Sequence, residues 1–272
     1  MSEHGADRVF GGSIPEIYDR YLVPLIFEPY AADLAVRLTG LAPRDVLEIA
    51  AGTGVVTRVL ARALPAARIV ATDLNQAMLD WAVARGGVGS GVTWRQADAM
   101  ALPLEDETFD AVVCQFGVMF FPDRARAFSE ARRVLRAGGS LLFNVWDRIE
   151  ENEIAHTVTG ALAELFPDDP PRFMARTPHG CHEVGAIKRD LAAGGFASTP
   201  SIEVLAARSR APTAEAAALA YCQGTPLRNE IEAREPARLD EATRAVAAAL
   251  EARCGPGPID AKVQALVVAV QR

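Results

Sequence analysis

Hydrophobic positions change their spacing repeatedly along the first half of the chain. Short apolar runs lie at 45–49, 68–73, 91–99, 109–115 and 140–146, and apolar residues recur at helical spacing at 55–63, 75–85 and 123–136. The runs predict strands and the helical spacing predicts amphipathic helices, the last of them ended by Gly138 and Gly139. Strands that alternate with helices favour an α/β fold, with a largely parallel sheet covered by helices on both faces.

Further elements flank this alternating region. Two N-terminal helices are predicted, one starting near Ser13 with Pro15 in its first turn and one at about 29–39. Beyond residue 147 the pattern predicts helices at 150–166, 183–193 and within 211–253, and strands at 201–208 and 259–271. We therefore expect N-terminal covering helices at 1–43, an α/β core at 44–147, an inserted helical cap at 148–199, and closing strands with an intervening helical segment at 200–272.

The stretch from Val46 to Gly54 reads as a strand, a tight loop and the start of a helix. Small residues and glycines in such a loop let backbone N–H groups approach a ligand without obstruction by a Cβ atom. The helix that follows offers the partly positive end of its dipole. The loop is therefore a candidate cofactor site, although short Gly-x-Gly strings also occur in dinucleotide-binding folds.

Asp73 ends the second predicted strand, 21 residues beyond Gly52. In a β-α-β unit this separation places its carboxylate at the carboxyl edge of the neighbouring strand, where it can accept hydrogen bonds from both hydroxyls of a ribose. The alternative role is a helix cap, which Asn75 could provide instead. We expect Asp73 to bind ribose.

Several motifs in order resemble class I S-adenosylmethionine-dependent methyltransferases. Glu48, Gly52 and Gly54 match the first motif of that family, and Ala50 stands where most members carry its first glycine. The segment from Ala101 to Gly117 resembles the family's Leu-Pro-Phe-like turn and fourth strand, and 133–142 resembles the approach to its fifth strand. The resemblance covers roughly residues 44–147. It implies S-adenosylmethionine as cofactor and a Rossmann-like, seven-stranded, mostly parallel sheet whose last strand is antiparallel.

The resemblance also implies roles for individual residues. Asp98 would accept from the exocyclic amine of adenine and the Ala99 N–H would donate to its ring, while Leu74 and Met78 would press on the ring. Core packing is the alternative for Met78. Gln115, at the end of the fourth strand, is expected to contact the methionine end of the cofactor. The full cofactor set is Glu48, Ala50, Gly52, Gly54, Asp73, Leu74, Met78, Asp98, Ala99 and Gln115.

The composition of the chain limits the classes of partner that it can bind. The 272 residues carry a formal net charge of -7, with a pI near 5.2, which argues against binding a nucleic acid. The arginines near 124–136 are expected on the exposed face of a helix. Four scattered cysteines, the polar N-terminus and the lack of a long apolar run predict a cytoplasmic protein with no membrane span. We expect a monomer or a homodimer.

Methyl transfer from a sulfonium is an in-line displacement, so a catalytic base is useful but not obligatory. Tyr21 and His182 are the catalytic candidates, with His156 and His179 as weaker alternatives, and no metal site is predicted. The expected function is methyl transfer to an O, N or C atom of a small organic metabolite, including aromatic ones, as in the ubiquinone-biosynthesis methyltransferases. A non-catalytic S-adenosylmethionine sensor and an NAD(P)-dependent oxidoreductase are the alternatives.

Overall fold

The computed structural model describes residues 7 to 272, so residues 1 to 6 of the predicted N-terminal segment lie outside it. Seven strands form one sheet in the order β3-β2-β1-β4-β5-β7-β6. They are β1 Asp45–Ile49, β2 Arg68–Asp73, β3 Val92–Gln96, β4 Phe109–Gln115, β5 Leu135–Trp146, β6 Ser201–Ala211 and β7 Ile259–Gln271. Six strands are parallel and the last is antiparallel, which confirms the predicted sheet.

Helices fill the connections between strands. Three helical segments, α1 Ile14–Ile17, a π-helix Tyr18–Phe27 and α2 Glu28–Leu41, follow one another without a break. The α-helices after them are α3 Val55–Ala63, α4 Gln76–Arg85, α5 Arg124–Val134, α6 Glu153–Leu165, α7 Phe173–Arg176, α8 Val184–Ala193, α9 Ala214–Gln223, α10 Leu227–Arg234 and α11 Leu239–Cys254. Short 3-10 turns lie at Val118–Phe120, Ile149–Glu151 and Pro236–Arg238.

The strand β1 lies at the centre of the parallel region. It pairs with β2 on one side, where Ile49 is level with Thr72, and with β4 on the other, where Glu48 is level with Val113. Because β1 and β4 are neighbours while β2 and β3 lie beyond β1, the strand order reverses between β1 and β4. In open α/β sheets a ligand binds outside the carboxyl ends of the strands at such a switch point.

Contacts between Cα atoms divide the chain into two compact units. Unit A comprises Glu28–Val145, Cys181–Leu205 and Leu266–Arg272, and contains β1 to β4. Unit B comprises the described residues up to Phe27, together with Trp146–Gly180 and Ala206–Ala265. Each unit combines stretches from several of the four predicted segments.

The glycine pair after α5 does not end that helix, contrary to the prediction. The helix ends at Val134 and β5 begins at Leu135, so Gly138 and Gly139 lie within the strand. The pairing of β4 with β5 shifts register between Phe109 and Ala111. Gly138 has a φ of 78°, a conformation that glycine adopts at little cost, so the pair accommodates the extra residues of this irregularity.

Unit B contains a buried ionic cluster. The Arg176 guanidinium lies 2.7 Å from a carboxylate oxygen of Asp7 and 2.6 Å from one of Glu230. Asp7 is only 3% exposed and also accepts from the Thr177 hydroxyl. Glu230 accepts from the backbone N–H of Phe173, at the start of α7. The cluster, which we call the Asp7 cluster, thereby links the N-terminal segment to α7 and α10.

Charged groups elsewhere are largely paired within their own units. In and beside α5, Arg124 binds Asp190, Arg133 binds Glu130 and Asp106, and Arg136 binds Asp45 and Asp110. In the described part of the chain, no helix combines the length and the low polarity that crossing a bilayer requires. No group of three or more potential metal ligands occurs between residues 7 and 272.

Candidate functional site

The loop after β1 has the backbone conformation of a ligand-binding turn. Ala50, Gly52 and Gly54 have φ values of 57°, 56° and 83°. This conformation is unfavourable for a residue with a Cβ, so Ala50 is strained where a glycine would not be. Gly54 caps the N-terminus of α3, and a Cβ at this position would lie 2.6 Å from the Trp94 ring. The glycine there is required by close packing as well as by its φ.

Asp73 joins this loop to the end of β2. One carboxylate oxygen accepts from the Gly52 N–H at 2.8 Å, and the other accepts from the Asn75 N–H at 2.8 Å. Burial raises the pKa of Asp73, while the backbone donors at Asn75 and Gly52 oppose that rise. Each carboxylate oxygen can accept more than one hydrogen bond. Asp73 is thus fixed in orientation and still has the acceptor capacity that two ribose hydroxyls require.

The prediction that the Asn75 side chain could cap the helix α4 differs from what the structure shows. Asn75 is the N-cap residue of α4, but its side chain makes no capping hydrogen bond. Asp73 instead accepts from the Asn75 backbone N–H just before the helix. The ribose role of Asp73 stays a prediction, and the structure adds that the same carboxylate orders the turn into α4.

Glu48 is almost completely buried at the end of β1, with 2% exposure. One of its carboxyl oxygens accepts from the Thr57 hydroxyl at 2.6 Å. Burial raises the pKa of Glu48 to about 8, against the opposing effects of the Thr57 hydroxyl and the Arg58 charge. Near neutral pH the side chain is therefore largely a neutral carboxylic acid in the structure described.

Thr53, between the two loop glycines, is a further candidate site residue, which the sequence motifs did not indicate. Its residue exposure is 1%, and among residues 7 to 272 its hydroxyl has no hydrogen-bond partner. A buried hydroxyl without a partner is costly, so it marks a place where a polar ligand atom fits. The loop conformation, the Thr53 hydroxyl and the Asp73 carboxylate together fit the polar groups of S-adenosylmethionine.

Of the predicted adenine residues, Leu74 follows β2, Met78 lies in α4, and Asp98 and Ala99 follow β3. Leu74 is 40% exposed, an unusual state for a large apolar side chain and suited to contact with an apolar ring face. Met78 is 3% exposed, which agrees with core packing. Asp98 is half-buried and accepts from the Met100 N–H at 2.9 Å, and Ala99 is buried. Their contacts with adenine stay predictions.

Gln115 is the last residue of β4 and begins a tightly packed turn. Phe116, which follows it, has a φ of 52° and contacts Tyr30 edge to face. A Cβ on Gly117 would lie 2.5 Å from the Ala50 Cβ and 2.7 Å from the Cys114 sulfur. The turn after β4 therefore packs directly against the loop after β1, which brings Gln115 to the same edge of the sheet as Glu48.

The predicted catalytic residues fall in different units. Tyr21 is half-buried in the π-helix of unit B, with the Arg20 guanidinium 5.3 Å from its ring centroid. His182 belongs to unit A, is about one third exposed, and its Nε2 lies 3.3 Å from Glu183.

The two weaker histidine candidates also differ from each other. His156 is exposed. His179, in unit B, is buried, and its Nδ1 lies 2.8 Å from the Asp147 carbonyl oxygen. Because a carbonyl only accepts, Nδ1 carries the proton and Nε2 is the proton-accepting nitrogen. The structure thus orients His179 more firmly than His182.

Comparison with known proteins agrees with this geometry. Residues 47–143 match the family model described as a methyltransferase domain. Over 180 residues the chain is 40% identical to demethylmenaquinone methyltransferase of Thermus thermophilus, covering 61% of this chain and 79% of that protein. It is 29% identical over 180 residues to ubiquinone/menaquinone biosynthesis C-methyltransferase UbiE of Saccharophagus degradans, covering 60% and 72%.

Among solved structures, an S-adenosylmethionine-dependent methyltransferase of Thermotoga maritima superposes with a TM-score of 0.53 at 17% identity, covering 95% of this chain and 96% of that one. The identity to the Thermus thermophilus protein, together with the seven-stranded sheet, shows a class I methyltransferase. The chain belongs to the S-adenosylmethionine-dependent methyltransferases and is an enzyme whose cofactor is S-adenosylmethionine.

Proposed function

We propose that this enzyme methylates a ring carbon of a small, hydroxylated aromatic acceptor. The observation that carries the proposal is the 40% identity to a protein named for demethylmenaquinone. A second relative is named as a C-methyltransferase of ubiquinone and menaquinone biosynthesis. The reduced form of a quinone is a dihydroxylated aromatic ring, and this defines the class of acceptor.

An aromatic cluster in unit B supports an aromatic acceptor. The rings of Phe10, Tyr18, Phe27, Trp146 and His179 form a chain of contacts with centroid separations from 5.2 to 6.2 Å. Aromatic side chains bind planar rings by stacking and edge contacts. We assign this cluster, together with Tyr21 in the same unit, to recognition of the acceptor.

The cofactor is assigned to residues of unit A. These are the loop residues Glu48, Ala50, Gly52, Thr53 and Gly54, the ribose and adenine residues Asp73, Leu74, Met78, Asp98 and Ala99, and Gln115. When bound, S-adenosylmethionine supplies an electrophilic methyl group and retains the electron pair of the broken C–S bond on sulfur. The chain's own residues hold the reactants in line and manage protons.

Proton transfer is the task of a base. A ring carbon beside a hydroxyl becomes a stronger nucleophile when the hydroxyl loses its proton, and the hydrogen that this carbon carried leaves as a proton after the new C–C bond has formed. We assign the base to His179, because the Asp147 carbonyl fixes its tautomer with Nε2 as the acceptor. His182 is the alternative base.

The proposed function is tested in two stages. Calorimetry with S-adenosylmethionine, S-adenosylhomocysteine and NAD should show binding of the first two alone. Incubation of the enzyme and cofactor with 1,4-dihydroxynaphthalene, kept reduced, should then give a product with one new methyl group on a ring carbon by NMR. A methyl ether as the only product, or no methylated product, would contradict the assignment.

The two histidines can be separated by substitution. His179→Gln should lower turnover by about 100-fold, the lower end of typical general-base effects, with cofactor affinity unchanged. His182→Gln is the matched control and should keep near-normal turnover, because its side chain is partly exposed and lies beside Glu183. A loss of turnover in the His182 variant alone would transfer the role of base to that residue.

The proposal extends to the cellular compartment and the oligomeric state of the enzyme. None of the four cysteines is in a disulfide, and three of them are buried, which suits a reducing compartment. We place the enzyme in the cytoplasm as a monomer or homodimer. Light scattering on the purified protein distinguishes these two states from larger assemblies.

A further inference from the structure

The amide of Asn144 is a buried polar group that the roles described above leave unused. Asn144 lies near the carboxyl end of β5, has 0% exposure, and is level with Gln115 in the parallel pairing of β4 with β5. Level residues of neighbouring strands point to the same face of a sheet. The Asn144 and Gln115 side chains therefore lie on the same face of the sheet, near the carboxyl ends of β5 and β4.

The orientation of this amide is fixed. The Phe116 N–H donates at 3.1 Å both to the Asn144 main-chain carbonyl and to its Oδ1. A backbone N–H can only donate, so the side-chain oxygen faces Phe116 and the NH₂ group faces away. Among the residues that the structure describes, Nδ2 has no hydrogen-bond partner. A buried amide with an unused donor loses its hydration without compensation, so such a group signals a ligand contact.

The position of β5 decides which reactant the amide serves. The residues assigned to the cofactor follow β1, β2 and β3 or end β4, whereas β5 lies beyond β4 on the side away from β1. At about 4.8 Å per strand, Asn144 is roughly 10 Å along the sheet from the glycine loop. The methyl acceptor must approach the cofactor in line, from the side that the cofactor residues leave open.

We infer that Asn144 is a specificity-determining residue, whose Nδ2 donates a hydrogen bond to an oxygen atom of the methyl acceptor. This inference rests on the proposed function and adds to it a requirement on the substrate: an oxygen beside the reacting centre, as a phenolate or a carbonyl. A second role follows from the same geometry. The Asn144 Oδ1 shares the Phe116 N–H with the Asn144 main-chain carbonyl, and so adds a second acceptor to the turn in which Phe116 has a φ of 52°.

Asn144→Asp separates these two roles, because a carboxylate keeps the acceptor for Phe116 and removes the NH₂ donor. The probes are α-tetralone and tetralin, bicyclic molecules that differ by one carbonyl oxygen, titrated against protein saturated with S-adenosylhomocysteine. The normal protein should bind the ketone about tenfold more tightly than the hydrocarbon, the typical effect of one hydrogen bond. Asn144→Asp should abolish this preference and leave the affinity for S-adenosylhomocysteine unchanged.

Other outcomes overturn the inference in distinguishable ways. The inference is contradicted if Asn144→Asp keeps the preference for the ketone. It is also contradicted if the normal protein shows no preference, either because it binds both probes equally or because it binds neither. A loss of S-adenosylhomocysteine affinity in the variant would assign the amide to the cofactor instead. Asn144→Leu, similar in size and without polar atoms, repeats the test if the aspartate variant does not fold. Failure of the normal protein to bind S-adenosylhomocysteine would refute the proposed function itself.

Discussion

Two buried carboxylates, Asp73 in unit A and Asp7 in unit B, are compensated in different ways. Asp73 accepts from the backbone N–H groups of Gly52 and Asn75. Asp7 pairs with the Arg176 guanidinium and the Thr177 hydroxyl. Backbone donors orient a carboxylate without supplying a full opposite charge, so Asp73 keeps its capacity for a ligand. The charge of Asp7 is used within the fold.

From this contrast we predict a binding role for Asp73 and a structural role for Asp7, and substitutions should affect two different properties. Removing Asp73 should mainly change cofactor affinity, and removing Arg176 should mainly change the free energy of unfolding. The predictions below begin with the largest expected effect.

Asp73→Ala should weaken S-adenosylhomocysteine binding by on the order of 2–4 kcal/mol, because two hydrogen bonds to the ribose are lost in a buried site. Calorimetry measures the change directly. Asp80→Ala, which removes an exposed carboxylate from the same part of the chain, is the matched control and should bind normally. Equal affinities for Asp73→Ala and the normal protein would refute the ribose assignment.

Arg176→Met should lower the free energy of unfolding by about 3 kcal/mol, since it leaves the Asp7 and Glu230 carboxylates without their cation. Urea denaturation measures this loss, and cofactor affinity should change less than about twofold. Arg208→Met is the control within unit B. Its partner Asp260 is about half exposed, so that ion pair should contribute little to the free energy of unfolding. Similar losses in both variants would argue against a special role for the Asp7 cluster.

Glu48 provides a test by pH, because its carboxyl group is buried and its pKa is raised to about 8. The folded state then binds a proton that the unfolded state has already released above its ordinary pKa of 4.5. The free energy of unfolding should therefore fall as pH rises from about 5 towards 8, and level off above 8. Between about pH 6 and pH 8, the titration of Glu48 should lower the free energy of unfolding by about 2 kcal/mol.

Glu48→Gln removes this titration and keeps an oxygen for the Thr57 hydroxyl. Urea denaturation at both pH values should show that the variant gains stability relative to the normal protein as pH rises. Asp73, whose pKa is also raised by burial, contributes in the same direction and remains in both proteins. Parallel pH profiles for the two proteins would show that Glu48 does not titrate in this range.

The sequence predicted the local elements of the structure and the residues at the edge of the sheet, but not the Asp7 cluster. Strand and helix spacing gave the seven strands, and the separation of Gly52 from Asp73 placed both at one edge of the sheet, because a β-α-β unit has nearly fixed geometry. In the Asp7 cluster, Asp7 contacts Arg176 and Thr177, which lie 169 and 170 positions further along the chain, and no local pattern encodes such pairs. Local backbone geometry can be predicted from the spacing of residues in the sequence, whereas ion pairs between distant residues cannot.

Some features of the site itself also required the structure. Asn144 stands in an apolar run and reads as an ordinary strand residue, and its importance appears only through the register with Gln115. A glycine pair after a helix commonly ends it, but here Gly138 and Gly139 serve a strand irregularity, since β5 starts before them. Thr53 could have been found from its place between two glycines of a cofactor loop.

A last prediction asks whether local changes can stabilise unit B without touching the Asp7 cluster. Gly160 lies inside α6, and a Cβ added there meets no atom within 4 Å. Gly160→Ala should raise the free energy of unfolding by about 1 kcal/mol through helix propensity, and the melting temperature by about 2–4 °C. Gly224→Ala is the contrasting variant in the same unit, because its Cβ would lie 2.5 Å from the Ala220 carbonyl oxygen and 3.1 Å from Ile17. It should melt at a lower temperature than the normal protein. If Gly160→Ala gave no increase in calorimetric melting temperature, the stability of unit B would depend on contacts such as the Asp7 cluster and not on its helices individually.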